Sequence, residues 1–155
     1  MTLAYVGLGA NLGDRAATLT RAIELLSDRP GIEIVAVSSF RETAPVGFLD
    51  QPMFLNAAVA AEATLEPDAM LETLLEVEQE LGRLRQGPRF GPRTVDLDLL
   101  LFGSVTLERP GLTLPHPRLH ERAFALAPLA ELDPALVVPG RGAVADLLQG
   151  LESPA

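Results

Sequence analysis

Two aspartates stand two residues apart in Val95-Asp96-Leu97-Asp98-Leu99-Leu100-Leu101-Phe102. Strand side chains alternate between faces, so the two carboxylates share one face. Val95, Leu97, Leu99 and Leu101 then share the other, which is core. At a strand rise of about 3.3 Å the aspartate Cα atoms are roughly 6.6 Å apart. Like charges on an apolar strand repel, and a cation between them relieves the repulsion. Arg93 is one candidate. Magnesium is the better one, because it takes one or two carboxylates and fills its octahedron with water and phosphate oxygens. The alternative is an edge strand with a solvated acidic face.

The basic residues point the same way. All twelve are arginine, and four of them (Arg83, Arg85, Arg89 and Arg93) fall within residues 83–93, among Gly87, Pro88, Gly91 and Pro92. Guanidinium forks pair bidentately with phosphate oxygens. Without lysine, neither a P-loop lysine nor a Schiff base is available. Neutral His116 suits a hydrogen bond to phosphate, or else a local cap. Phe54 and Asn56 share a strand face; with Phe124 they could sandwich a flat ring and read its amide-like edge. Their bland reading is cross-strand packing and turn capping. Glu78 borders an apolar helix stripe, where a glutamate is usually solvated. The set fits a nucleoside triphosphate and a flat, nitrogen-rich ring.

The elements that must position these residues read in order. Leu3–Leu8 predicts a strand, and 9–14 (Gly-Ala-Asn-Leu-Gly-Asp) a tight strand-to-helix turn. That turn resembles a dinucleotide fingerprint but carries Leu12 in place of the third glycine. Leu19, Ile23 and Leu26 mark a helix, Ile32–Phe40 a strand, and 41–53 a long loop. Phe54–Ala61 predicts a third strand. Pro67-Asp68 opens a helix with the stripe Met70, Leu74, Val77 and Leu81. A second long loop spans 82–92. After the aspartate strand come a hairpin around Pro110-Gly111, a helix over Leu119–Glu131 and a short last helix over Val144–Leu151. The order βαββαβ predicts an α+β, ferredoxin-like, mainly antiparallel sheet with its helices on one face, plus a C-terminal hairpin and helices. Residues 1–155 read as a single domain.

Composition excludes several classes. With no cysteine there are no disulfides or thiolate sites. The net charge of −9 argues against nucleic-acid binding. No apolar run is long enough for a membrane span, and no signal peptide is evident. A cytoplasmic monomer is the expectation.

Five segments together resemble one family. They are Gly9-Ala10-Asn11-Leu12-Gly13; Glu42-Thr43-Ala44-Pro45-Val46-Gly47; Asp50-Gln51-Pro52 with Phe54-Leu55-Asn56-Ala57; Glu78 with Gly82-Arg83-Leu84-Arg85; and Gly91-Pro92-Arg93-Thr94-Val95-Asp96-Leu97-Asp98, followed by Leu114-Pro115-His116-Pro117. In this the chain resembles the 6-hydroxymethyl-7,8-dihydropterin pyrophosphokinases of folate biosynthesis over nearly its whole length. The resemblance implies transfer of diphosphate from ATP to the hydroxymethyl group of the dihydropterin, with AMP released. It implies two magnesium ions on Asp96 and Asp98, and catalysis assisted by Arg83 and Arg93. It places Glu78, Arg85, Phe90, Arg93, Leu99, Thr113, His116 and Arg122 at ATP. Thr43, Ala44, Val46, Asn56, Phe54 and Phe124 fall at the pterin. The chain departs from the family pattern at Phe54 and Phe90, where tyrosine and tryptophan can stand, and at Leu75 and Pro117 near the nucleotide.

Two rivals make different demands. A non-enzymatic ferredoxin-like ligand-binding module needs neither the aspartate pair nor the arginine loop. A dinucleotide-dependent oxidoreductase needs Gly7 and Gly9 in a turn and a parallel sheet.

Overall fold

The computed structural model describes residues 1–11, 13–43, 53–84 and 95–152, without the side chains of 83, 84 and 152. Expectations for Ala44, Val46, Arg85, Phe90 and Arg93, and for the Arg83 side chain, lie outside these residues.

Strand β1 (Thr2–Ala10) leads to helix α1 (Arg15–Ser27), β2 (Ile32–Val37), β3 (Arg41–Thr43) and β4 (Phe54–Ala63). Helix α2 (Pro67–Leu84) and β5 (Asp96–Phe102) complete the core. The sheet order is β2-β4-β1-β5, with β3 also on β4, and these pairs are antiparallel. This is the expected ferredoxin-like arrangement. Gly7 and Gly9 lie inside β1 and not in a βα turn, which removes the dinucleotide reading.

The first strand runs two residues past its expected end, and Gly13 (φ 63°) makes the turn into α1. Arg41–Thr43, expected in a loop, is paired strand. Buried Ser38 makes this possible: its N–H donates to the Ala58 carbonyl and its Oγ accepts from the Ala58 N–H, both at 2.9 Å. The chain thus stays on β4 while passing from β2 to β3. Gly82 does not end α2, which runs to Leu84. A helical glycine costs only about 1 kcal/mol relative to alanine, and among the described residues nothing lies within 4 Å of a Cβ placed here.

Each sheet face has its own core. Val6, Leu8, Leu55, Ala57, Val59, Leu97 and Leu99 pack against the stripes of α1 (Leu19, Leu26) and α2 (Met70, Leu74, Val77, Leu81). On the other face, Tyr5, Ala58, Ala60 and Leu100 pack against helix α3 (Ala123–Leu132) and helix α4 (Val144–Glu152). The C-terminal helices cover only part of that face. Leu101 joins this second core and not the face of Leu99. The cause is a bulge: Val6 pairs with Leu99 and Tyr5 with Leu101, leaving Leu100 as the extra residue that reverses the alternation.

A hairpin of β6 (Leu107–Arg109) and β7 (Leu112–Leu114) turns at Gly111 (φ 82°). The single helix expected over Leu119–Glu131 is split. A 3₁₀ turn (Leu119–Glu121) gives way to α3 at Arg122, whose backbone is extended (φ −117°, ψ 98°). A further small hairpin, β8 (Val137–Val138) with β9 (Gly142–Ala143), precedes α4.

Candidate active site

The part of the second face that α3 and α4 do not cover is floored by glycine. On β1, Gly7 pairs with Asp98 on one side and Ala58 on the other; Gly9 pairs with Asp96 and Asn56. Two rungs therefore cross the sheet, each with a carboxylate on β5 and a glycine in the middle. Gly7 and Gly9 put no side chain of β1 between the carboxylates and the Asn56 amide; the Leu100 side chain lies over Gly7 and the Asn56 amide over Gly9. The result is a cavity of about 690 Å³. Its walls include Thr43, Phe54 and Asn56 on one side and Asp96 and Asp98 on the other; Arg122 and Phe124 close it from α3. This size lies in the usual range for a small-molecule site.

Asn56 is buried (8 % exposed), and its Oδ1 accepts a hydrogen bond from the Thr43 hydroxyl, which fixes the amide. Arg122 lies over the Phe124 ring, its Cζ 5.6 Å from the centroid, so ring and guanidinium are held as a unit. The break before α3 brings both to the cavity.

A second clamp ties α3 to β3. Glu131 accepts from the Ser39 N–H and Oγ, both at 2.6 Å, and from Arg41 at 2.9 Å. The Ser39 hydroxyl and N–H, then Arg41, hold the Glu131 carboxyl below the usual glutamate range.

Asp96 and Asp98 share the cavity face, as the alternation predicts. Glu78 does not line the cavity. Its Oε2 accepts from the Leu97 N–H at 2.8 Å, gripping β5 between the two aspartates. Leu75, one turn before it on α2, is 47 % exposed. The Leu99 side chain is buried in the helix-side core (4 % exposed), on the face opposite the carboxylates.

His116 and Thr113 line a neighbouring depression of about 470 Å³. The Arg118 N–H donates to His116 Nδ1 at 3.2 Å. This selects the neutral tautomer with Nε2–H free to donate. Burial pushes the His116 imidazole below its usual range; Asp98 opposes this, and Arg122 and Arg118 reinforce it.

Sequence reasoning missed Gly7 and Gly9 as a floor, although their two-residue spacing matches that of the aspartates. It also missed Arg118 and Glu121, which line the cavity beside Arg122. Arg118 had a signal, since it directly follows Pro115-His116-Pro117.

Residues 5–134 match the family of 7,8-dihydro-6-hydroxymethylpterin-pyrophosphokinases. The 2-amino-4-hydroxy-6-hydroxymethyldihydropteridine pyrophosphokinase of Methylorubrum extorquens is 49% identical over 140 residues, covering 90% of this chain and 88% of that protein. The enzyme of the same name from Bacillus subtilis is 48% identical over 130 residues, covering 84% and 77%. In fold, the chain is similar to a Plasmodium falciparum HPPK-DHPS crystal structure (TM-score 0.75, 14% identity). It is covered there over 96% of its length and spans 45% of that longer chain. By the extent of the family match and the near-half identity over most of two relatives, the chain belongs to the 7,8-dihydro-6-hydroxymethylpterin-pyrophosphokinase family.

Proposed function

We propose that the cavity over Gly7 and Gly9 receives the dihydropterin, and that its Asp96–Asp98 side receives the triphosphate of ATP. The chain is an ATP-dependent pyrophosphokinase of folate biosynthesis. It transfers diphosphate from ATP to the hydroxymethyl group of 6-hydroxymethyl-7,8-dihydropterin. The hydroxyl oxygen bonds to the β-phosphorus, the bond from that phosphorus to the α,β-bridging oxygen breaks, and AMP leaves with that oxygen. The hydroxyl proton is lost in the process. Such a transfer depends on positioning and charge neutralisation more than on covalent help from the protein.

One observation carries the site: Asn56 and the two aspartates face each other across a glycine floor inside one cavity. Asn56, fixed by Thr43, is suited to pair with the pterin edge. Phe54 and Phe124 stack on the ring. Arg122 and the His116 Nε2–H serve the nucleotide, as does Thr113 in the neighbouring depression. Glu78 acts on ATP through β5, whose position it holds.

Oxygen donors from two carboxylates fit magnesium, which leaves its other positions to water and phosphate. No set of three or more metal-ligating side chains exists among the described residues, and two carboxylates suffice. Two ions are proposed; when bound they neutralise and orient the triphosphate. The roles of Arg83 and Arg93 in catalysis, of Arg85, Phe90, Arg93 and Leu99 at ATP, and of Ala44 and Val46 at the pterin, rest on the sequence resemblance. We propose also that residues 1–155 act as one domain, as a cytoplasmic monomer without nucleic acid. Among the described residues no helix is long and apolar enough to cross a membrane.

The test is incubation with magnesium-ATP and the hydroxymethyldihydropterin, followed by mass analysis. Pterin diphosphate with equimolar AMP is expected. ADP in place of AMP would overturn the reaction.

A further inference from the structure

We infer that Arg15, which the mechanism above does not use, is a positioning residue for the pterin side of the cavity. The inference rests on reading that cavity as the pterin site. Arg15 is the first residue of α1, behind the sheet. Its NH2 donates to Glu42 Oε1 at 2.8 Å, and its NH1 donates to the Met53 carbonyl at 2.5 Å. Each partner adjoins a residue of the cavity wall: Glu42 precedes Thr43, and Met53 precedes Phe54. Thr43 and Phe54 are themselves a register pair, the last of the β3–β4 ladder. One planar guanidinium therefore ties the two chain segments at the point where they leave the sheet.

The local sequence aims the arginine there. Gly13 turns the chain at φ 63°, and the Asp14 side chain caps α1 by accepting from the Ala17 N–H at 3.1 Å. The Thr18 N–H and hydroxyl both donate to the Asp14 carbonyl at 3.0 Å. The segment from Gly9 to Asp14 is thus no dinucleotide loop. It sets the glycine floor at one end and the arginine clamp at the other.

The clamp contributes little to stability, because Glu42 is 56 % exposed and water screens such a pair. What it fixes is geometry. Thr43 orients the Asn56 amide, and Phe54 presents a stacking ring; both lie one residue from an Arg15 partner. Alternation places the Glu42 side chain on the sheet face opposite Thr43, so Arg15 acts through the sheet without touching substrate. A fork that serves two acceptors at once is a task for arginine; a lysine ammonium is a single point charge.

The experiment compares Arg15→Ala, Arg15→Lys and Glu42→Gln with wild type. Arg29→Ala serves as control, since Arg29 pairs with Glu76 and Glu80 away from the cavity. Arg15→Ala is expected to raise the pterin KM about tenfold, less than the roughly hundredfold loss a full 1 Å misplacement can cause. The ATP KM and the melting temperature should stay near wild type. Arg15→Lys and Glu42→Gln should fall between, and Arg29→Ala should behave as wild type. An unchanged pterin KM in Arg15→Ala overturns the inference. So does a rise in both KM values together with a lowered melting temperature, which marks a merely structural residue. Asn56→Ala, run in parallel, separates the two readings. If it weakens pterin binding and Arg15→Ala does not, only the clamp fails; if neither does, the cavity assignment falls and the clamp with it.

Discussion

A Cβ on Gly9 would stand 2.9 Å from Asn56 Nδ2, closer than side chains normally approach. The Asn56 amide occupies the space that any other residue at position 9 would fill. Gly9 is not in the left-handed region, so alanine suits the backbone and only the amide must move. Gly9→Ala should therefore leave the fold intact and weaken pterin binding. Asn56→Ala should cost roughly 1–3 kcal/mol of pterin binding through a lost hydrogen-bonded edge, with ATP binding little changed. In the double variant the Gly9 effect should vanish, because the clash is with the side chain already removed. Calorimetry on the four proteins tests this; additive losses would place the two residues in separate roles.

Period-two alternation made much of this site legible. It put Asp96 with Asp98, and Phe54 with Asn56, on shared faces, and the structure keeps both pairs. The stripes of α1 and α2 were equally plain, since 3.6-residue spacing and burial agree there. Three features were not legible, two of them because they depend on a distant partner. The Leu100 bulge exists only against Tyr5 and Val6 of β1. Strand β3 depends on Ser38 bonding to Ala58. The break at Arg122 is invisible in a run that reads as helix throughout, yet it turns Arg122 and Phe124 toward the cavity.

Glu78 gives a prediction that separates stability from function. Its carboxylate accepts from the Leu97 N–H on the outer edge of β5. In Glu78→Ala that buried donor loses an acceptor, costing about 1–3 kcal/mol. The aspartates on either side of Leu97 lose their brace. Thermal unfolding should show a lowered midpoint, and calorimetry a weaker magnesium-ATP interaction. Glu78→Gln keeps an acceptor and should recover most of the stability. Magnesium-ATP affinity unchanged in Glu78→Ala would show that β5 needs no such brace.

His116 predicts a pH dependence. Its folded pKa lies below the ordinary value of 6.5, chiefly because burial disfavours the charged ring. The unfolded chain therefore takes up this proton at higher pH than the folded one. The linked stability is present above the unfolded value and is lost as pH falls from there through the folded pKa. Denaturation midpoints should decline over that window, and the decline should be smaller in His116→Gln. A ring-proton titration by NMR should give a midpoint below 6.5. A midpoint above it would mean that the attraction of Asp98 outweighs burial.

The carboxylate pair itself is tested by charge removal at constant size. Asp96→Asn and Asp98→Asn each take one negative charge from the cavity face, where lysine-free surroundings leave metal and arginine to neutralise the triphosphate. Each should weaken magnesium-dependent ATP binding. Each should also lower turnover by about a hundredfold or more, the scale of several kcal/mol of lost charge stabilisation. The fold should survive. Asp98→Asn relieves repulsion from Asp96, so the metal-free protein should melt at the same temperature as wild type or slightly higher. The rise produced by magnesium-ATP should shrink, because ligand binding stabilises only in proportion to its affinity. The reverse pattern, thermal stability lost without ligand while magnesium-dependent activity stays intact, would make the aspartates structural ion-pair partners and move the metal elsewhere.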